Sequence, residues 1–163
     1  MNDTLGCAIL HKDSISTSDC PFMTDLSNFA VASSSRQIEA IGFSYNNNQE
    51  GLLMVFSNSL GRVVVMRGSS DRDNNTNWSW QDETQKFDSL LANRFTPNVH
   101  IASQCVSCSR SINKTLDLTQ YYLYCFTKSE NISDDSPYHE SIVEFTFLVG
   151  NDSSPDNFTV ELS

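Results

Sequence analysis

The chain has 163 residues, which is enough for one domain with a substantial hydrophobic core. It carries 20 acidic and 10 basic residues, for a formal net charge of −10. This charge argues against nucleic acid or an anionic membrane as a partner, because both attract basic surfaces. No run approaches the roughly 18 apolar residues of a membrane span, so no transmembrane segment is expected.

The first part of the chain differs from the rest in composition. Residues 1–27 are polar and are expected to form an N-terminal segment with little regular structure. No linker divides residues 28–163, which we expect to form a single all-β domain. The N-terminus lacks the basic region and apolar run of a signal peptide, so we expect either a removed signal or an excerpt of a longer chain.

The most informative stretch is 36–68, which reads RQIEAIGFSYNNNQEGLLMVFSNSLGRVVVMRG. Apolar runs over 38–45, 52–56 and 63–66 are separated by two tight polar turns. Ile41, Phe43 and Tyr45 recur at a period of two, which places them on one face of a strand. The pattern predicts a three-stranded antiparallel meander whose middle strand, apolar on both faces, is covered on both.

Other segments alternate in the same way and predict further strands. These lie near residue 29, where a strand would join the meander, and over 78–80, 98–104, 119–127, 141–149 and 157–163. The spacing of Phe87, Leu90 and Leu91 predicts a helical turn over 86–93, and 109–117 is expected to be a loop. The fold class is therefore all-β, with antiparallel meanders arranged as blades of a partial propeller or as a two-sheet sandwich.

The sequence contains five cysteines: Cys7, Cys20, Cys105, Cys108 and Cys125. Structural disulfides are the expected use of these residues in an extracellular chain. We expect Cys7 to pair with Cys20, and Cys125 to pair with Cys105 or Cys108. The odd count leaves one thiol unpaired or paired outside this chain.

Cys105 and Cys108 also form a CxxC motif, which has two other interpretations. A redox site would place the motif at the start of a helix in a βαβ unit, and no such pattern is visible. A zinc site could add Cys125 and either His100 or His139, but no second CxxC or HxxxH motif completes it. Structural disulfides therefore remain the favoured interpretation.

The compartment is predicted from N-glycosylation motifs. Seven Asn-x-Ser/Thr triplets occur, at Asn2, Asn74, Asn77, Asn113, Asn131, Asn151 and Asn157. Chance would give about 3 in a chain of this composition. The excess favours a secreted glycoprotein with these positions exposed. The alternative is an Asn- and Ser-rich chain that is never glycosylated.

An acidic loop has the ligand spacing of a calcium site. Asp71, Asp73 and Asn75 occupy alternate positions, and Asp82 falls at the twelfth position of such a loop. However, Thr76 stands where the loop needs glycine, and Asp82 replaces the usual glutamate. A solvated, glycosylated loop is the favoured interpretation, and no metal or other cofactor is expected.

Two tryptophans provide the best candidate for a binding site. Trp78 and Trp80 fall on one face of a strand, and an indole face stacks well on the C–H face of a sugar ring. Arg62 and Arg67 lie close in sequence and could bind hydroxyl groups. The alternative is that one or both tryptophans cover the core. No GxSxG, HExxH or P-loop motif occurs, so an enzyme is not expected.

The order of features over 38–84 is an apolar strand, a turn, LLMVFSNSLGRVVVMRG, a polar loop and WSWQDET. It resembles a blade of the fungal fucose-specific lectin β-propellers. The resemblance implies a sugar site built from an arginine, a glutamate or glutamine and an aromatic residue, here matched by the tryptophans. We therefore expect an extracellular, non-catalytic, carbohydrate-binding module. The alternative is a protein-interaction ectodomain or surface glycoprotein fragment with a β-sandwich fold.

Overall fold

The computed structural model describes residues 3–4, 9–11, 14–16, 30–31, 38–45, 49–58, 62–73, 77–95, 98–129, 141–150 and 152–163. Near the N-terminus, the short strands β1 (Asp3–Thr4) and β4 (Ala30–Val31) pair with each other. Between them, β2 (Ile9–His11) pairs with β3 (Ser14–Ser16). The strand expected near residue 29 is present, but the prediction that it joins the meander is wrong. A short apolar run does not specify its partner.

The predicted meander forms the first sheet. Its strands are β5 (Glu39–Ser44), β6 (Glu50–Ser57), β7 (Val63–Ser70) and β8 (Trp78–Asp82), in that order and all antiparallel. The middle strand β6 is buried on both faces, as its apolar sequence predicts. The fourth strand is β8, because the loop after β7 returns the chain to pair with β7.

A helix, α1 (Thr84–Arg94), follows β8 and is longer than the predicted turn over 86–93. Its start is fixed on β7, since the Val65 amide donates to the Thr84 hydroxyl at 2.9 Å. Phe87 and Leu91, one turn apart on the same side, are fully buried. The helix therefore covers one end of the core between the two sheets.

The second sheet has the order β12-β11-β10-β9. Its strands are β9 (Val99–Asn113), β10 (Leu118–Ser129), β11 (Ser141–Val149) and β12 (Glu161–Leu162), again all antiparallel. The loop predicted over 109–117 is wrong over 109–113, which continues β9. These residues are exposed except for the half-buried Asn113, and only Ile112 among them is apolar, so backbone pairing with β10 is what marks them as strand.

The two sheets pack face to face around one core. The Phe43 ring of the first sheet lies 5.8 Å from Tyr121 and 5.6 Å from Phe147 of the second. Phe158 and Val160, just before β12, are also buried in this core. The all-β class is confirmed, and the packing is that of a two-sheet sandwich. Within the described residues, no helix is long and apolar enough to cross a membrane.

Candidate functional site

The two tryptophans lie together on the outer face of the first sheet. The ring centroids of Trp78 and Trp80 are 6.1 Å apart at an interplanar angle of 25°, so the indoles stack. Gly68 of β7 pairs with Trp80, and a Cβ at Gly68 would lie 2.8 Å from three atoms of the Trp80 ring. The Trp80 indole therefore lies directly on the backbone of Gly68, where only glycine leaves room for it.

Trp80 also belongs to an apolar cluster on this outer face. It packs against the buried side chains of Met54, Phe56, Val64 and Met66, a group separate from the core between the sheets. Trp80 is thus a packing residue as well as the support for Trp78. The sequence left two interpretations open, ligand binding and coverage of the core by one or both tryptophans. Trp80 does cover buried apolar side chains, although on the outer face of the sheet.

Trp78 borders an open cleft of about 560 Å³, which is within the size range of small-ligand sites. One wall comes from the end of β7, the start of β8 and the loop between them. The other comes from residues 154–156, just before β12. The polar side chains that line it are those of Gln49, Asp71, Arg72, Asn77, Ser79 and Asp156.

Hydrogen bonds hold the rim of this cleft in place. The Asp71 amide donates to the Asn77 carbonyl at 2.7 Å, which closes the loop at its base. The Asp73 amide donates to Asp71 Oδ1 at 3.0 Å, which orients that carboxylate. Gln49 Nε2 donates to the Ser70 carbonyl at 3.0 Å and ties the loop before β6 to the end of β7. These bonds fix the backbone beside Trp78 and orient the Asp71 carboxylate and the Gln49 amide.

The chemistry of the cleft suits a polyhydroxylated ligand. An indole face offers an apolar platform for the C–H face of a sugar, and carboxylate, amide and guanidinium groups bond to hydroxyls in fixed directions. Asp71, Arg72, Asn77 and Asp156 are all exposed. From the sequence, Asp71 was predicted only as a calcium ligand. Gln49 and Asp156 were not predicted as site residues, because they come from distant segments and no local sequence pattern links them to Trp78.

Arg67 lies on the opposite face of β7 from the tryptophans. Its Nε donates to Glu83 Oε1 at 2.7 Å, and its guanidinium also bonds to Gln81. The guanidinium carbon lies 5.0 Å from the centroid of the Phe158 ring. Arg67 is only 6% exposed. The structure therefore places Arg67 in a buried contact between the sheets and not beside Trp78.

The carboxylate of Glu83 is the centre of this buried network. Lys86 Nζ lies 3.0 Å from its second oxygen. Burial alone would raise the pKa of Glu83, but hydrogen bonds from Arg67 and Lys86 outweigh it and lower that pKa. Burial also raises the pKa of the Tyr45 hydroxyl, against the opposing effect of Arg67. The network joins β7, β8 and α1, so its role is structural.

Arg62 lies far from the tryptophans, just before the start of β7. It is six residues from Gly68, or roughly 20 Å along an extended strand. Its Nη2 forms an exposed ion pair with Asp88 of α1 at 2.8 Å. Both residues line a second cavity of about 650 Å³ that also includes His100. Of the four predicted ligand residues, the structure brings together only the two tryptophans.

The proposed calcium ligands do not converge either. Asp71 follows the end of β7, whereas Asp82 pairs with Met66, five residues earlier and roughly 17 Å away along the strand. Asp82 Oδ1 accepts from the Thr84 amide at the start of α1. Asn75 lies outside the described residues. Within the described part of the chain, no three acidic, histidine or cysteine side chains form a metal cluster.

The structure settles one of the predicted disulfides. Cys105 and Cys125 face each other across β9 and β10, are bonded and are buried in the core. Both are therefore unavailable as zinc ligands. Cys108 is exposed and free, since a spacing of three along a strand turns it to the opposite face. Cys7 and Cys20 lie outside the described residues.

Three of the seven glycosylation motifs fall in the described residues. Asn77 and Asn157 are exposed, and Asn113 is half-buried at the turn between β9 and β10. Asn113 Oδ1 accepts from the amides of Thr115 and Leu116. Asn77 lines the Trp78 cleft, so a glycan at that position would compete with any ligand there. The other four positions, Asn2, Asn74, Asn131 and Asn151, are not described.

Comparison of the chain with protein-family models, curated proteins and solved structures gives no match. Its function therefore has to be argued from the geometry of its own residues.

Proposed function

We propose that this chain is an extracellular, N-glycosylated, non-catalytic module that binds carbohydrate in the cleft beside Trp78. One observation carries the proposal. Trp78, which is half-buried and stacked on Trp80, lines a cleft together with carboxylate, amide and guanidinium groups. This combination of one aromatic platform with several directional polar groups is what sugar recognition needs.

The two tryptophans have different roles in this proposal. Trp78 would stack on the sugar ring, because it borders the cleft. Trp80 would hold Trp78 in position, since it is itself held between Gly68 and the outer apolar cluster. Asp71 and Asn77, next to Trp78, would accept and donate hydrogen bonds to ring hydroxyls.

The extracellular assignment is part of the proposal. A buried disulfide between Cys105 and Cys125 supports it, because such bonds persist in oxidising compartments. The excess of glycosylation motifs supports it as well. The resemblance to fucose-specific lectin blades makes fucosylated oligosaccharides the first ligands to test.

The direct experiment is a glycan array with the purified chain after enzymatic removal of its N-glycans, which frees the cleft beside Asn77. We expect binding to a restricted set of glycans, and loss of that binding in Trp78→Ala. Phe95→Ala, which removes an exposed aromatic residue from the end of α1, away from the cleft, is the matched control. Binding that is equal in all three proteins would contradict the proposed site.

A second candidate function, protein interaction, is favoured by a different observation. The outer face of the second sheet exposes apolar side chains.

A further inference from the structure

The outer face of the second sheet carries apolar residues where polar ones are expected. An antiparallel sheet with one solvated face normally alternates apolar inward and polar outward. On this face the outward positions of three adjacent strands carry large apolar side chains that are between 38% and 63% exposed. We call them the outer patch, which consists of Val106, Tyr124, Phe126, Ile142 and Leu148.

The strand register places four members of the outer patch next to one another, and the fifth, Leu148, pairs with Gln120 at one end of the face. Tyr124 of β10 pairs with Val106 of β9, and Phe126 pairs with Ile142 of β11. Tyr122 stacks on Tyr124 at a centroid distance of 6.5 Å and extends the aromatic surface along β10. The outer patch therefore crosses three strands. Single apolar side chains are common on protein surfaces and need no partner, but a group of neighbouring ones is not explained in that way.

The exposed area is large enough to matter. At these exposures the five residues present on the order of 500 Å² per copy, which is the size of the largest apolar patch on a typical monomer, a patch that is often functional. Two such faces packed together would bury roughly 1,000 Å² before any rim contacts are added, which meets the threshold for a specific interface.

Charge also favours contact at this face. The chain carries −10 overall, so most approaches of two copies are repulsive. Among the described residues, the charged side chains at outward positions of β9, β10 and β11 are Arg110, Lys128 and Glu144, which are not predominantly acidic. A second copy can therefore approach here without the repulsion that the rest of the surface creates.

We propose that the chain forms a two-fold symmetric dimer in which the outer patch of one copy packs on the same patch of a second copy. The same apolar side chains would face each other across the two-fold axis, as an isologous interface requires. The Glu144 carboxylate lies within this face opposite Tyr124 and keeps its hydrogen bond with Tyr124. The proposal is independent of the carbohydrate site, because the cleft beside Trp78 belongs mainly to the first sheet. If both hold, the dimer presents two clefts and gains affinity for multivalent glycans.

Cys108 allows this arrangement to be tested by chemical cross-linking. It lies on the same face, pairs with Tyr122, and is an exposed free thiol. Stacked sheets lie about 10 Å apart, so the two Cys108 thiols of the dimer should be within roughly 20 Å of each other. A bis-maleimide reagent of that reach should link two wild-type copies and fail to link Cys108→Ser.

The test is sedimentation velocity of the purified chain over a range of concentrations. We expect a monomer–dimer equilibrium that is weakened at least tenfold by Ile142→Lys, with unchanged far-UV circular dichroism. Ile38→Lys is the matched control, since Ile38 is an exposed isoleucine at the start of the first sheet and should leave the dimer intact. Val106→Thr, which keeps the β-branched shape, provides a second and milder probe of the same patch.

Three outcomes would overturn the proposal. The first is a wild-type chain that stays monomeric over the whole concentration range. The second is a dimer that survives both Ile142→Lys and Val106→Thr. The third is a dimer lost equally in Ile142→Lys and Ile38→Lys.

Discussion

The contact between Gly68 and Trp80 allows a quantitative test of how the binding face is built. In Gly68→Ala the new methyl group would lie 2.8 Å from three atoms of the Trp80 ring. Ordinary carbon contacts are at least about 3.5 Å, so the indole must retreat by roughly 0.7 Å. Overpacking of this kind costs about 1–3 kcal/mol, less the roughly 0.5–1 kcal/mol that alanine gains over glycine in a strand.

The cause of that cost can be isolated with a double-mutant cycle. Trp80→Ala alone should destabilise the fold by about 2 kcal/mol, since a half-buried tryptophan loses part of the 3–5 kcal/mol typical of a core position. In the Trp80→Ala background the methyl group of Gly68→Ala has room. Its cost should therefore fall to zero or become a small gain, which gives a coupling energy of about 1–3 kcal/mol.

Urea denaturation of the wild type, the two single variants and the double variant measures this coupling. The reasoning is refuted if Gly68→Ala costs the same free energy of unfolding with and without Trp80. A retreat of Trp80 should also shift Trp78, its stacking partner, so Gly68→Ala should weaken glycan binding without touching the cleft itself.

Three further predictions concern the buried network, the disulfide and one tyrosine. Glu83→Gln should destabilise the fold at neutral pH. Because folding lowers the pKa of Glu83, the difference in free energy of unfolding between variant and wild type, measured by urea melts, should shrink as the pH falls below 4.5. A difference that stays constant with pH would contradict this. Cys125→Ala should lower the free energy of unfolding by about 3 kcal/mol, because the cross-link is lost. Cys108→Ser should leave the melting temperature unchanged. Equal effects of the two substitutions on stability would argue against the Cys105–Cys125 pairing. A hydrogen bond to Glu144 raises the pKa of Tyr124 to about 12, and burial raises the pKa of Tyr45 and of Tyr121. Ultraviolet titration should therefore show late-ionising tyrosines, of which only Tyr124 moves toward 10 in Glu144→Gln.

Alternation along single strands made much of the fold predictable. The faces of Ile41, Phe43 and Tyr45 follow from a period of two, and the two-sided burial of β6 follows from its unbroken apolar run. The same alternation also indicates the face on which Arg67 lies. Arg67 continues the inward positions Val63 and Val65 of β7, which places it on the core side, away from the tryptophans.

Features that depend on distant partners could not be predicted. The sequence does not specify that the strand near residue 30 pairs with Asp3 and Thr4, or that residues 109–113 are held in β9 by pairing with β10. The cleft is similar, because Gln49 reaches it through the pairing of β6 with β7 and Asp156 comes from the segment before β12 of the other sheet. The tryptophan pair was visible in the sequence, but the polar groups around it were not.

The outcome of one measurement bears most directly on the proposed function. The chain contains two tryptophans and five tyrosines, and both tryptophans belong to the candidate site, so its tryptophan emission reports on that site. We would titrate the deglycosylated chain with fucosylated oligosaccharides and follow this emission, with Trp78→Ala and Phe95→Ala in parallel. The proposal predicts saturable binding that weakens at least tenfold, or about 1.4 kcal/mol, in Trp78→Ala and is unchanged in Phe95→Ala. Two results would contradict it. One is saturable binding of equal affinity in Trp78→Ala, and the other is no change in emission of the wild-type chain with any glycan that it binds on the array.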